Sequence, residues 1–239
     1  MVTSRKYSKL NIVVPVYNES ENFPKLIKEI QEKIKIPYSL IVVYDFDEDT
    51  TVPVVKKFQK KYKNIALYKN HIGRGALNAI KSGFEYVKDG PILVIMADLS
   101  DDLNDVEKMY KLYLQGADVV CGSRYMKGGQ QVGGRLLQRT LSRLAGLSIY
   151  HLRHFPTHDL TNNFKLYNKE FLDSITIESQ GGFEVATEIT VKAFCMNKTI
   201  KEVPTIWHDR ETGESNFKLW AWLPSYLKWY FRAFSSRRP

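Results

Sequence analysis

Leu10-Asn-Ile-Val-Val-Pro-Val-Tyr17, followed by Asn18-Glu-Ser-Glu21, decides the fold class of this chain. The first eight residues are a short β-branched apolar run, as a strand buried on both faces requires, and the polar tetrapeptide after them signals a helix start. Phe23, Leu26, Ile27, Ile30 and Ile34 then recur at helical spacing, Lys35-Ile-Pro37 closes that helix, and Leu40-Ile-Val-Val43 forms a second apolar run. The unit repeats with 52–62 as helix, 65–68 as strand, 76–87 as helix and 92–95 as a fully apolar strand. Alternation of this kind predicts an α/β, Rossmann-like domain with a mainly parallel sheet and helices on both faces.

Further along, 106–113 reads as helix and 118–122 as strand, followed by a Gly-rich turn and a basic helix over about 135–152. Residues 164–167 and 199–203 read as strands flanking a helix over 184–195, and an aromatic helix covers about 217–234. A division follows: one α/β domain over 1–216 and a C-terminal segment over 217–239. At 239 residues the chain is long enough for one large α/β core. Cys121 and Cys195 lack any CxxC or Cys/His spacing, which argues against a zinc site or a disulfide framework. Residues 1–9 are polar and no run reaches the eighteen or so apolar residues of a spanning helix, so neither a signal peptide nor a membrane span is expected. The formal charge of +9 favours an anionic partner: a phosphate-bearing substrate, a nucleic acid or an acidic membrane.

In an open parallel sheet the ligand lies beyond the carboxyl ends of the strands, which directs attention to residues 17–19, 45–49, 98–102 and 123–124. Three of these four stretches carry carboxylates, although a basic chain is expected to meet phosphate. A divalent cation bridging carboxylate and diphosphate would reconcile the two, and Asp98 is the leading ligand for it. Asp102 reads equally as a helix cap.

Ile12-Val-Val-Pro-Val-Tyr-Asn-Glu19, Val42-Val-Tyr-Asp45, Gly73-Arg-Gly75, Met96-Ala-Asp98, Gly122-Ser-Arg-Tyr125 and Gly213-Glu-Ser215, in this order, resemble family 2 glycosyltransferases, and among them the polyprenyl-phosphate (dolichol-phosphate) mannose and glucose synthase branch. The resemblance implies a GT-A fold, a nucleotide-diphosphate sugar donor, Mg²⁺ or Mn²⁺, and inversion at the anomeric carbon. Carried over, it assigns Pro15, Tyr17 and Glu19 to the nucleoside pocket, Asp45 to the base, and Ala97 and Asp98 to the donor beside Gly73 and Arg74 at the phosphate. Each has a plainer reading: Pro15 as a strand end, Glu19 as a helix-terminus acid, Asp45 as a turn residue, and the Gly-flanked Arg74 as part of a connector. Asp47 and Asp49 are weaker candidates.

Three departures from the family pattern matter. The first acid of the Asp-x-Asp metal motif is Met96, a poor ligand for a hard cation, which leaves Asp98 to work with Asp101. The paired acids after the second strand are Tyr44-Asp45, and Asn216 stands where Lys is usual after Gly-Glu-Ser, with Lys218 nearby.

For the acceptor, the resemblance assigns a phosphate to Arg124 and to a basic residue near Arg139. Such an acceptor oxygen is already anionic, needs no general base, and leaves catalysis to positioning and charge. Arg135 and Arg143 read as a solvated helix face. Arg210, in His208-Asp-Arg-Glu-Thr-Gly213, is a further phosphate clamp, with Gly213 as hinge. A hydroxyl acceptor would instead need a carboxylate base, for which Glu184 ranks before Asp159; Glu184 reads as well as a helix-start acid.

The segment 217–234 mixes three tryptophans with Tyr, Lys and Arg, a composition suited to the headgroup layer, with Pro224 bending it into two short amphipathic interfacial helices; an aromatic core helix is the alternative. Together these features predict hexose transfer from a nucleotide sugar of the GDP-mannose or UDP-glucose type to a polyprenyl phosphate, at the cytoplasmic face of a membrane. A hydroxyl acceptor served by Glu184, an inactive scaffold suggested by Met96, and a nucleic-acid-binding module are the alternatives. The strand-end carboxylates oppose the last, and no nucleic-acid-binding motif is present.

Overall fold

The computed structural model describes residues 5–6, 8–210 and 219–235. Strand β1 (Leu10–Pro15) pairs in parallel with β2 (Tyr38–Tyr44) on one side and β4 (Pro91–Val94) on the other, and β3 (Ile65–Lys69) lies parallel beyond β2. Beyond β4 come β7 (Lys165–Asn168), β5 (Val119–Ser123) and β8 (Ile200–Pro204), giving the order β3-β2-β1-β4-β7-β5-β8. β7 runs antiparallel to both neighbours; the other pairings are parallel. The sheet is thus mainly parallel, as the alternating pattern predicts. The chain's progress reverses between β1 and β4, where an open α/β sheet leaves its crevice.

The period of two within the strands divides the core. Ile12, Val14, Leu40, Val42 and Leu93 face α1 (Phe23–Lys33), α2 (Thr51–Lys61) and α4 (Val106–Leu114). Val13, Ile41, Val43, Ile92 and Val94 face α3 (Ala76–Tyr86), α5 (Leu136–Arg153), α6 (Lys169–Asp173), α7 (Val185–Cys195) and α8 (Leu219–Ser235). Each of these strand residues is buried, which stabilises the fold by about 1.5–3 kcal/mol per side chain relative to exposure. Gly83 permits the close approach of α3 to β1, since a Cβ there would run into Val13.

Two features differ from the sequence reading. A second, two-stranded parallel ribbon of β6 (Gln130–Val132) and β9 (Ile206–His208) accompanies the main sheet, and Asp101 bridges to Trp207 of β9. The aromatic segment does not split at Pro224: over Leu219–Ser235, α8 passes through it as one helix. Pro224 lies near the start, where its missing N–H costs a single hydrogen bond, while the second half is held by burial of Trp229 and Ala233 among α7 side chains. The expected boundary at 216/217 lies outside the described residues. On its other side α8 exposes Trp220 (72 %), Leu227 and Phe231 (61 %), and α5 exposes Leu136, Leu137, Leu144 and Leu152. Among the described residues no helix is long and apolar enough to cross a membrane.

Candidate active site

The carboxyl ends of β1, β2, β4 and β5 open into one cavity of about 1400 Å³ that continues between α5 and α8. At its first end stand Pro15, Tyr17, Glu19, Asp45 and Arg74. The Tyr17 ring meets the Phe46 edge at 5.6 Å, and the Arg74 guanidinium lies 5.4 Å from the same ring. The loop after β1 turns through Asn18, which has the left-handed φ of 56° that asparagine tolerates. Buried Asp49 fixes that turn: its two oxygens share the Asn18 N–H at 3.1 Å, and Oδ1 also accepts from Thr51 N at 2.8 Å. Thr51 Oγ1 accepts from Glu19 N at 2.8 Å, and Asn18 Oδ1 accepts from Thr50 N at 3.1 Å. Asp49, ranked low on sequence, is thus the staple of the loop that carries Tyr17 and Glu19.

Asp45 lines the cavity, but both its oxygens already accept from the protein, Oδ1 from Asn70 Nδ2 and Oδ2 from Gly75 N, each at 2.7 Å. It braces the turn before α3 in addition to facing the nucleoside end. Gly73 is not among the lining residues; its carbonyl accepts from Asn70, so the expected donor contact passes to Arg74 and Gly75.

In the middle of the cavity, Asp98 Oδ1 accepts from Ser100 N at 3.2 Å and Oδ2 from Arg210 Nη2 at 2.8 Å. The left-handed φ of 63° at Leu99 aims this corner, and His208 N donating to Ser100 O at 3.0 Å ties β9 to it, so Arg210 follows close behind. Ala97 is buried and lines the cavity beside Asp98. Asp101 behaves differently from the expected second metal ligand. Its Oδ2 turns back to accept from Met96 N at 3.0 Å, and burial pushes its carboxyl up to about 7 against the opposing pull of that N–H. Asp102 is a cap, accepting from Asn104 N at 3.0 Å. Among the described residues, no group of three or more His, Cys, Asp and Glu side chains is arranged to hold a metal ion.

Arg124 lines the next part of the wall, but not as a free cation. Its Nε donates to Asp159 Oδ2 at 2.7 Å and its Nη2 to Asp159 Oδ1 and Thr161 Oγ1, both at 2.9 Å. Burial opposes ionisation of Asp159, yet the guanidinium overrides it and holds the carboxyl below its ordinary value. Asp159 is therefore a partner of Arg124 rather than a base, and the positive charge that Arg124 offers a ligand is largely offset. Arg135, just before α5, and Arg139 on it also line the cavity, whereas Arg143 does not. Arg135, read from the sequence with Arg143 as a solvated face, thus joins Arg139 at the cavity, because it stands in extended backbone just before α5.

Glu184 is 1 % exposed, among the described residues no side chain pairs with either oxygen, and it is not among the lining residues. Burial raises its carboxyl above the usual range. Gly182, with φ 101°, separates it from the cavity-lining Trp222 ring, since a Cβ there would meet both. Its predicted role as a base meets this obstacle: the carboxyl lies behind the wall. The far end of the cavity is apolar, formed by Leu141, Leu144, Ala145, Trp222, Leu223 and Leu227, and Ser148 Oγ meets Tyr230 OH at 2.9 Å across α5 and α8. Gly213-Glu-Ser215, Asn216 and Lys218 lie outside the described residues.

The sequence model described as glycosyl transferase family 2 matches residues 11–176. A dolichol-phosphate mannosyltransferase of Pyrococcus furiosus is 25 % identical over 88 % of this chain and 59 % of its own length. An undecaprenyl-phosphate 4-deoxy-4-formamido-L-arabinose transferase of Sodalis glossinidius is 24 % identical over 92 % of this chain and 66 % of its own length. The chain thus spans about three fifths to two thirds of these relatives. Among solved structures, glucosyl-3-phosphoglycerate synthase of Mycobacterium tuberculosis in complex with UDP superposes with a TM-score of 0.69 at 16 % identity, covering 95 % of this chain and 80 % of that one. The same synthase with Mn²⁺, UDP and phosphoglyceric acid gives 0.67 at 15 % identity, covering 96 % and 80 %.

Proposed function

This chain belongs to glycosyl transferase family 2, and we propose that it moves a hexose from a nucleotide-diphosphate sugar to a polyprenyl phosphate at a membrane surface. The observation that carries the proposal is the continuity of one cavity, from the strand-end carboxylates, past arginines, to an apolar mouth between α5 and α8. A nucleotide sugar suits the first end, a phosphate the middle, and an isoprenoid chain the last. Relatives named for dolichol-phosphate and undecaprenyl-phosphate transfer support the acceptor class.

The nucleoside would lie between Tyr17, Glu19 and Asp45, with its diphosphate toward Asp98 and Arg210. Arg139, with Arg135 one turn before it, would receive the acceptor phosphate; Arg124, held by Asp159, shapes that wall more than it supplies charge. The attacking phosphate oxygen is anionic at neutral pH, so no base is required, and the burial of Glu184 behind the wall agrees with that chemistry. What remains for the protein is alignment of the two anions and shielding of their mutual repulsion.

A divalent cation fits here only as a shared one. Asp98 offers a hard carboxylate, Met96 offers nothing suitable, and Asp101 is spent on the backbone, so Mg²⁺ or Mn²⁺ would be held by Asp98 together with the donor's own phosphate oxygens. Bound there it would supply positive charge to the departing diphosphate. The M. tuberculosis synthase crystallised with Mn²⁺ supports this choice of ion.

Attachment would be peripheral. Exposed Trp220, Leu227 and Phe231 on α8 and Leu136, Leu137 and Leu144 on α5 flank the apolar mouth, and the +9 charge favours an anionic leaflet on the cytoplasmic side. A panel of GDP- and UDP-hexoses with a short polyprenyl phosphate and Mg²⁺ or Mn²⁺ tests the reading. Label should appear on the lipid; label confined to soluble hydroxyl acceptors would overturn it.

A further inference from the structure

Arg210 occupies the carboxylate on which the cation site depends. Its Nη2 lies 2.8 Å from Asp98 Oδ2, and the two side chains are only 23 % and 12 % exposed, so solvent and salt weaken the pair little. The remaining oxygen, Oδ1, accepts from Ser100 N. A guanidinium and a divalent ion cannot share one carboxylate oxygen without strong repulsion, so an arriving cation must displace Arg210. Among the described residues the neighbouring carboxylates are committed to the backbone: Asp101 is turned onto Met96 N, Asp102 onto Asn104 N, and Asp209 onto Gly134 N and Arg210 N. The planar fork of a guanidinium displaced within this cavity matches a diphosphate well.

We propose that Arg210 is the resident counter-cation of Asp98, keeping the cation site closed until a nucleoside diphosphate draws the guanidinium onto its phosphates. The inference rests on the donor-site reading above and adds to it an order of events. The Asp98 carboxylate passes from guanidinium to metal ion while the guanidinium passes from carboxylate to phosphate, so each positive charge keeps a negative partner throughout. Metal ion alone is therefore a poor ligand for this protein, and diphosphate and metal ion bind as a coupled pair. Arg210 acts on the metal site by exclusion; it is a positioning residue for the cation and a direct contact only for the diphosphate.

The test measures Mn²⁺ binding by electron paramagnetic resonance of the free ion, with the full chain alone and with saturating GDP or UDP. Wild type alone should bind Mn²⁺ weakly. Arg210→Gln should bind nucleotide-free Mn²⁺ roughly tenfold more tightly than wild type, because Asp98 is released, while binding metal-free GDP or UDP more weakly; couplings of this kind commonly span about 5–150-fold. Arg210→Lys should behave closer to wild type in the first measurement and closer to Gln in the second. Asp98→Asn should lose Mn²⁺ binding in both backgrounds, and thermal unfolding of each variant checks that the fold is kept. Equal nucleotide-free Mn²⁺ affinity in wild type and Arg210→Gln, with nucleotide-dependent Mn²⁺ binding intact, would overturn the exclusion alone. Failure of every form to bind GDP or UDP would overturn the donor-site reading on which it rests.

Discussion

Asp159→Ala should destabilise this protein far more than the loss of one small side chain suggests. Asp159 is fully buried and accepts from Arg124 three times, from Nε at 2.7 Å, Nη2 at 2.9 Å and the backbone N–H at 3.0 Å, and again from Asn162 N at 3.2 Å. Alanine leaves the guanidinium, whose side chain is 10 % exposed, without a counter-charge, and strips three backbone donors, Arg124 N, Thr161 N and Asn162 N, of their acceptor. Removing one partner of a buried pair costs about 3–5 kcal/mol. With about 2–4 °C of Tm per kcal/mol at this chain length, melting should fall by roughly 6–20 °C. Arg124→Met combined with Asp159→Ala removes the stranded charge, so the double variant should lose at least ~2 kcal/mol less than the sum of the single losses. Urea denaturation of the four proteins at pH 7 measures that coupling. Because Asp159 ionises below its ordinary value when folded, its contribution is complete above about pH 4 and disappears as pH falls through the lower folded value. The difference between wild type and Asp159→Ala should therefore shrink only below about pH 4. A coupling under ~0.5 kcal/mol, or a cost under ~1 kcal/mol for Asp159→Ala, would refute the assignment of Arg124 and Asp159 as one buried unit.

Three further outcomes are expected. Glu184→Gln should stabilise the protein at pH 7 by about 1–3 kcal/mol, since burial penalises the ionised form; the advantage should fade as pH falls through the raised folded value, where the wild-type carboxyl binds its proton, and be gone below the ordinary glutamate value of about 4, and a less stable variant at pH 7 would mean the carboxylate is paired. Asp49→Ala should release the turn at Asn18 and raise the donor KM about tenfold at nearly unchanged kcat, with faster hydrogen exchange at Asn18 and Glu19; unchanged exchange there argues against the staple. Trp220→Glu with Phe231→Glu should weaken sedimentation with anionic vesicles at least tenfold without moving Tm, because each exposed ring stands to bury about 1.5–3 kcal/mol of apolar surface at an interface. Equal vesicle binding would remove α8 from the proposed membrane surface.

Most of the α/β alternation was legible because it is written in local chemistry. The runs at β1, β2 and β4 are continuous β-branched segments, and α1 repeats its apolar residues every three or four positions, so each element could be assigned from its own residues. The place of the cavity followed from parallel strands alone, since Tyr17, Glu19, Asp45 and Asp98, just beyond their carboxyl ends, all line it. The β6–β9 ribbon escaped notice because Gln130-Gln-Val132 has no apolar period; its pairing exists only once Trp207 is brought beside Asp101.

The sequence by itself determined the class of fold, the strand ends at which chemistry gathers, and the residue types available there, since these depend on near neighbours in the chain. Only the tertiary structure decided what each charged side chain is free to do. Arg124 and Asp159 are 35 residues apart, Asp98 and Arg210 112, and Asp45 reaches Gly75 across 30. In each case a group that reads as a candidate ligand contact has a partner supplied by the fold. Glu184 is the converse, a charge that the sequence offers as a base and that packing buries with no opposite charge against it among the described residues. The reason is physical: charge and hydrogen-bonding capacity belong to a residue, whereas burial and the identity of its partner arise only when distant segments meet.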